Sequence, residues 1–376
     1  MMGTSAKNKT VRYSVFFLGG LVAWSISETA SASNPAAPIN GWPTAAAPNG
    51  RVLSLDLARI NEKKLLRPGR AGALYAIAAK PSEFRADRTP LILIHGIKGD
   101  PKDLQHVLNR FKSRPVQFYA FAYDDYHRRT SLNGNDLAEQ LAALSERYWG
   151  PEREVIIVAH SMGGLVARYA LNQLAFGVSP RINRFKMVRL FTVDTPWHGY
   201  GGPSDRGVEG FFMKVAGAFM PDGLEDMRAE SGLFQGRPNG RSAAERAGLL
   251  NLILPAHVKV NVVFAQDGKN IMDYTEGDIK DLVPKIAARF GSNTPIRGTA
   301  RQINFWKALI QARTAISAFR SEMESAATAG RLTEATVRDA LDRHYPRFPG
   351  DHTGVLREHP GKRSFLDHLS DQLGQP

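Results

Sequence analysis

The run Val155-Ile156-Ile157-Val158-Ala159-His160-Ser161-Met162-Gly163-Gly164 leads straight into Leu165-Val166-Ala167-Arg168-Tyr169-Ala170, and it constrains the fold more than any other part of the chain. Four apolar β-branched residues in a row read as a strand buried on both faces, and the residues after Gly164 have helical spacing. Only a tight turn fits between the two, with Ser161 at its apex. In such a nucleophile elbow, small residues two before and two after the serine let strand and helix approach while the hydroxyl projects. Ala159 stands where the pattern usually has glycine, and alanine is small enough to fit. A serine hydroxyl is a weak nucleophile near neutral pH, so this reading also demands a histidine base and an orienting carboxylate.

A second buried strand, Leu91-Ile92-Leu93-Ile94, precedes the loop His95-Gly96-Ile97-Lys98-Gly99. A loop placed this way supplies one backbone N–H to a tetrahedral intermediate, and the residue after the nucleophile supplies the other. These donors are assigned to Ile97 and Met162, while His95 is read as a brace for its loop and not as the base.

The base has to come after the last strand, where His344, His352, His359 and His368 are available. His352 lies in Phe348-Pro349-Gly350-Asp351-His352-Thr353-Gly354, a loop dense in turn residues ahead of a final helix, and is the candidate. The other three fall in helical or strongly charged stretches and are read as surface residues. The acid is expected after the strand Val258 to Ala265. Asp278 ranks first, with Asp281 and Asp267 close behind, and any of the three could instead cap a helix.

Further strands are predicted over 116–123 and 188–193, with helices over 135–148 and 164–174. Strand and helix in alternation predict an α/β fold, a mostly parallel sheet with helices on both faces. Two stretches break the rhythm. Residues 201–254 form an insertion with an apolar patch at Phe211, Phe212, Met213, Val215, Phe219 and Met220. That patch suits a lid over an apolar site, and equally a helix facing the core. Residues 302–344 read as a helical insertion of two helices joined near Gly330.

Together His95-Gly96-Ile97-Lys98-Gly99, Ala159-His160-Ser161-Met162-Gly163-Gly164 and Gly350-Asp351-His352-Thr353-Gly354-Val355-Leu356 resemble motifs of bacterial lipases and GPI inositol-deacylase-like hydrolases of the α/β-hydrolase superfamily. Asp194-Thr195-Pro196-Trp197-His198-Gly199 is similar to the Thr-Pro-His-x-Gly stretch after the next strand of those lipases, with Trp197 inserted. The resemblance runs from about Pro90 to Leu356. It implies an α/β-hydrolase fold and hydrolysis of carboxylic esters, of lipids in particular, by a Ser-His-Asp triad without a metal or organic cofactor. Transfer of the acyl group to another acceptor, or a binding protein that kept the fold without the activity, are the competing readings.

Residues 1–32 read as a signal peptide: Lys7, Lys9 and Arg12 precede an apolar run from Tyr13 to Trp24, and Ala30-Ser31-Ala32 suits cleavage after Ala32. The run is well short of the roughly 20 residues that span a membrane. A leader rich in Ala, Pro, Asn and Gly follows over 33–50, and the hydrolase domain occupies 51–376. A secreted or periplasmic location is therefore expected. With no cysteine in the chain, disulfides and thiolate metal sites are excluded. Net charge is +13, or +11 once Lys7, Lys9, Arg12 and Glu28 leave with residues 1–32. Such a balance favours contact with an anionic membrane surface, and no nucleic-acid-binding module accompanies it.

Overall fold

The computed structural model describes residues 52–53, 71–78, 85, 87–150, 152–197, 199, 222–266 and 345–374, and between 321 and 343 all but 324, 327, 332, 334, 337, 338, 341 and 342. The expected signal peptide and leader, most of the 302–344 insertion and the apolar patch at 211–220 lie outside the described residues.

Eight strands form one sheet: β1 Val52–Leu53, β2 Ala73–Ile77, β3 Thr89–Ile94, β4 Val116–Ala122, β5 Arg153–His160, β6 Phe185–Val193, β7 Val258–Ala265 and β8 Arg347–Phe348. Their spatial order is β1-β2-β4-β3-β5-β6-β7-β8. All neighbours are parallel except β2 and β4. The strand signals read from the sequence thus coincide with β3 through β7. The helices are α1 Gln105–Phe111, α2 Thr130–Leu144, α3 Met162–Phe176, the short α4 Asp222–Glu225, α5 Gly232–Gln235 and α6 Ala243–Ala247, and α7 Phe365–Gln372.

The alternation of side chains along a strand divides the apolar residues between two cores. Ile92 and Ile94 of β3 and Val155, Ile157 and Ala159 of β5 face α2 and α3, where Leu137, Leu141, Leu165 and Val166 pack. Leu91, Leu93, Ile156 and Val158 point the other way, onto Val107 and Phe111 of α1 and Phe365 and Leu369 of α7. Both faces are dry, which is why β3 and β5 read as unbroken apolar runs.

The second half of the 201–254 insertion is fastened to the helical layer. Buried Asp226 accepts from the Ser131 N–H (3.2 Å) and Oγ (3.0 Å) in the first turn of α2, and Arg168 and Asn172 of α3 donate to the carbonyls of Leu252 and Leu249. Met227, Leu233, Phe234, Leu250 and Leu254 are buried in the same core as α2 and α3.

Candidate active site

β5 ends at His160 and α3 begins at Met162, so Ser161 alone makes the turn, at φ 53° and ψ −130°. This conformation is unfavourable for a residue with a side chain, and neighbouring contacts hold it. The Ser161 N–H donates to the Val193 carbonyl at the end of β6 (2.9 Å), and its own carbonyl accepts from the Gly164 N–H (3.0 Å). Close approach explains two glycines. A Cβ on Gly163 would lie 2.3 Å from the His95 carbonyl oxygen, and one on Gly96 would lie 2.6 Å from the Ser161 Cβ. Ala159 is fully buried. Ser161 is 1% exposed, and its Oγ has no hydrogen-bond partner among the described residues.

Among the described residues, the positive-φ positions other than glycine are Lys98, Ser161 and Asp194. Each lies at or just beyond the carboxyl end of a strand, β3, β5 or β6. Strain of about 1–3 kcal/mol per residue therefore accumulates along one edge of the sheet, where open α/β folds place their sites.

The loop after β3 presses its backbone against Ser161 through Gly96. Its geometry is fixed by His95, whose Nδ1–H donates to the Gly96 carbonyl (2.8 Å) and whose ring stacks on Tyr123 at 4.5 Å. The Tyr123 hydroxyl donates to the His95 carbonyl (2.7 Å). His95 is thus a brace. Ile97 follows Gly96 on this loop, and Met162 is the first residue of α3, where an amide has no acceptor within the helix.

His352 sits on the loop after β8, where Asp351 forms a turn by accepting from the N–H groups of Gly354 (2.7 Å) and Thr353 (3.2 Å). These bonds, the one from Gly354 above all, hold the Asp351 carboxyl below the ordinary carboxylate range. The His352 Nδ1 lies 2.5 Å from Oδ2 of Asp194, a carboxylate that is fully buried. Asp194 follows β6 directly and is tied to β7, its N–H donating to the Val263 carbonyl (2.8 Å).

The carboxylate that meets His352 Nδ1 among the described residues is Asp194, which the sequence reading did not weigh as the acid. The expected acids Asp278, Asp281 and Asp267 lie outside the described residues. A signal was present: Leu190-Phe191-Thr192-Val193 is an apolar strand beside the nucleophile's own, and Asp194 is the charged residue at its end. His359 and His368, read as surface residues, are partly covered. His359 donates to the Gly354 carbonyl (2.9 Å), and His368 packs on Phe348 at 5.2 Å. His344 is outside the described residues.

Sequence reasoning gave no role to His160. Its Nε2–H donates to the main-chain carbonyl of His352 (2.6 Å), and the two rings lie 4.6 Å apart. Burial pushes its pKa down to about 3, and the nearby charges of His352 and, less, His95 act in the same direction against the hydrogen bond to His352. His160 is therefore neutral at ordinary pH.

This strand order with an antiparallel second strand, a strand–turn–helix with Ser161 at its apex after β5, and a histidine–carboxylate pair from the loops after β8 and β6 is the architecture of the α/β-hydrolase fold. Residues 88–216 match the family model described as "Putative serine esterase (DUF676)". Among solved structures, the mature form of Bacillus licheniformis lipase BlEst2 is similar at 14% identity and a TM-score of 0.39, over 81% of this chain and 97% of that one. Its propeptide form gives 15% and 0.34, over 52% of this chain and 39% of that one. A Pyrobaculum calidifontis esterase gives 15% and 0.32, over 68% of this chain and 81% of that one. No curated protein matches the chain.

Proposed function

We propose that the protein hydrolyses carboxylic esters through an acyl-enzyme on Ser161. The observation that carries this reading is the pairing of His352 Nδ1 with the buried Asp194 carboxylate at 2.5 Å, beside a serine held at positive φ. In the first half-reaction Ser161 Oγ attacks the ester carbonyl while His352 Nε2 takes its proton. The N–H groups of Ile97 and Met162 receive the developing oxyanion, each worth on the order of 3 kcal/mol in the transition state. The intermediate collapses, the C–O bond to the alcohol breaks, and His352 returns the proton to the leaving alkoxide. Water then attacks the acyl-enzyme with the same histidine as base, releasing the acid and restoring the serine hydroxyl. Asp194 holds the imidazole in the tautomer with its proton on Nδ1 and stabilises the imidazolium. No step calls for a metal or organic cofactor.

The substrate class we propose is a lipid ester, supported by the apolar patch at 211–220 in the sequence. The positive balance of charge suits work at an anionic membrane surface, and the leader suits export. A fluorophosphonate probe tests the mechanism: the wild type should be labelled and Ser161→Ala should not, and an unlabelled wild type would sink the hydrolase reading. Hydrolysis of p-nitrophenyl acetate and palmitate, measured side by side, tests the substrate class. The long ester should be accepted, and strict preference for acetate would point to small esters.

A further inference from the structure

We infer that His160 is a positioning residue that holds the backbone of the general base, an inference that rests on the triad reading above. The imidazole of His160 touches three parts of the site. It belongs to the strand that delivers Ser161. On its Nε2 side it donates to the His352 carbonyl at 2.6 Å. On its Nδ1 side it faces the loop of Gly96, where a Cβ built on that glycine would come within 3.2 Å of Nδ1. Gly96 thus leaves the room that both Ser161 and His160 occupy.

The chemistry of the contact fixes its direction. A carbonyl can only accept, so the proton lies on Nε2 of a neutral ring, and Nδ1 faces the Gly96 side as an acceptor. His160 is 4% exposed, so water does not compete for the bond. His352 needs this support because it sits on a turn between the two-residue strand β8 and a short 3-10 turn at Gly354–Leu356. Asp194 fixes the far end of its side chain, and His160 fixes its main chain. With both anchors in place the imidazole has a defined place and tilt; with one it can swing about the other. A misplacement of 1 Å at a reacting group costs about 100-fold in rate, so a bond far weaker than that can still govern turnover.

Three variants of the full-length protein test the inference, with p-nitrophenyl butyrate as substrate and a fluorophosphonate as probe. His160→Gln keeps an N–H donor near the place of Nε2, His160→Asn has a donor too short to reach the carbonyl, and His160→Leu fills the space without one. The expected result is a fall in kcat of about 10- to 100-fold for the Leu and Asn variants with KM changed by less than about threefold, and recovery of most of the loss by Gln. Wild-type kcat in the Leu or Asn variant would overturn the inference, as would an equal loss in all three. If His160→Leu does not fold, the contrast between Gln and Asn decides alone. A wild type that the probe does not label removes the hydrolase reading itself, whereas a labelled wild type with His160→Asn labelled at the same rate removes only the role of His160.

Discussion

Asp194 occupies a place where water cannot do its work. Fully buried, its carboxylate has His352 on Oδ2 and the Ala265 N–H at 3.4 Å from Oδ1, so on the triad reading its main counter-charge during turnover would be the imidazolium formed on His352. Asp194→Asn keeps the size and removes the charge. It also lets the imidazole turn to the wrong tautomer, and kcat should fall about 10³- to 10⁴-fold with KM little changed. Steady-state kinetics on any accepted ester checks this, and a loss under tenfold would show that another acid serves. At this scale the sequence was legible where a residue type is demanded by its immediate neighbours. Ser161 stands between a buried strand and a helix, and His352 stands in a turn of Pro, Gly and Asp, so both announce themselves locally. His160 does not, and Asp194 does so only as the charged residue that ends a strand. Their partner lies on a distant loop, and contacts across 158 and 192 residues do not show in local spacing.

The elements that carry these residues are held by close approach more than by polar bonds. α3 begins hard against β3, with Gly163 facing the carbonyls of Ile94 and His95. Ile94 is flanked by β4 and β5, and the His95 carbonyl is held by the Tyr123 hydroxyl, so neither yields readily to a side chain at position 163. Gly163→Ala should lift the start of α3 away from β3 and move Met162 with it. The expected outcome is a loss of about 1–3 kcal/mol in stability and at least about 100-fold in kcat/KM, read by urea denaturation and kinetics. Strands and helices were legible for a related reason. β3 and β5 are covered on both faces, so they had to be apolar throughout, and the run of β-branched residues follows. The α2 boundary was less so: the helix starts at Thr130, five residues before the apolar periodicity, because Asp226 of the insertion satisfies its first turn. That support comes from far along the chain.

For the molecule as a whole, pH acts through groups that folding keeps from protonation. His160 is held at a pKa of about 3 in the folded protein, against about 6.5 for a free histidine. Between those values the unfolded chain binds a proton that the folded one does not, so stability falls as pH falls through this window and is fully present above it. The contribution amounts to about 2 kcal/mol lost between neutral pH and pH 5. Denaturation at pH 7 and pH 5 should therefore show a steeper loss for the wild type than for His160→Leu, and equal slopes would place the proton elsewhere. The expectations of export and of a lid rest on residues 1–50 and 201–221, whose signals are compositional, and composition names a compartment or a partner without placing a side chain.

The order of the sheet has one more implication. Ser161 is delivered by a central strand, while His352 arrives with β8, at the sheet's edge and nearly two hundred residues further along. On the triad reading proposed above, a chain folded only as far as β7 would hold the serine without its base. Activity would then wait for β8 to dock.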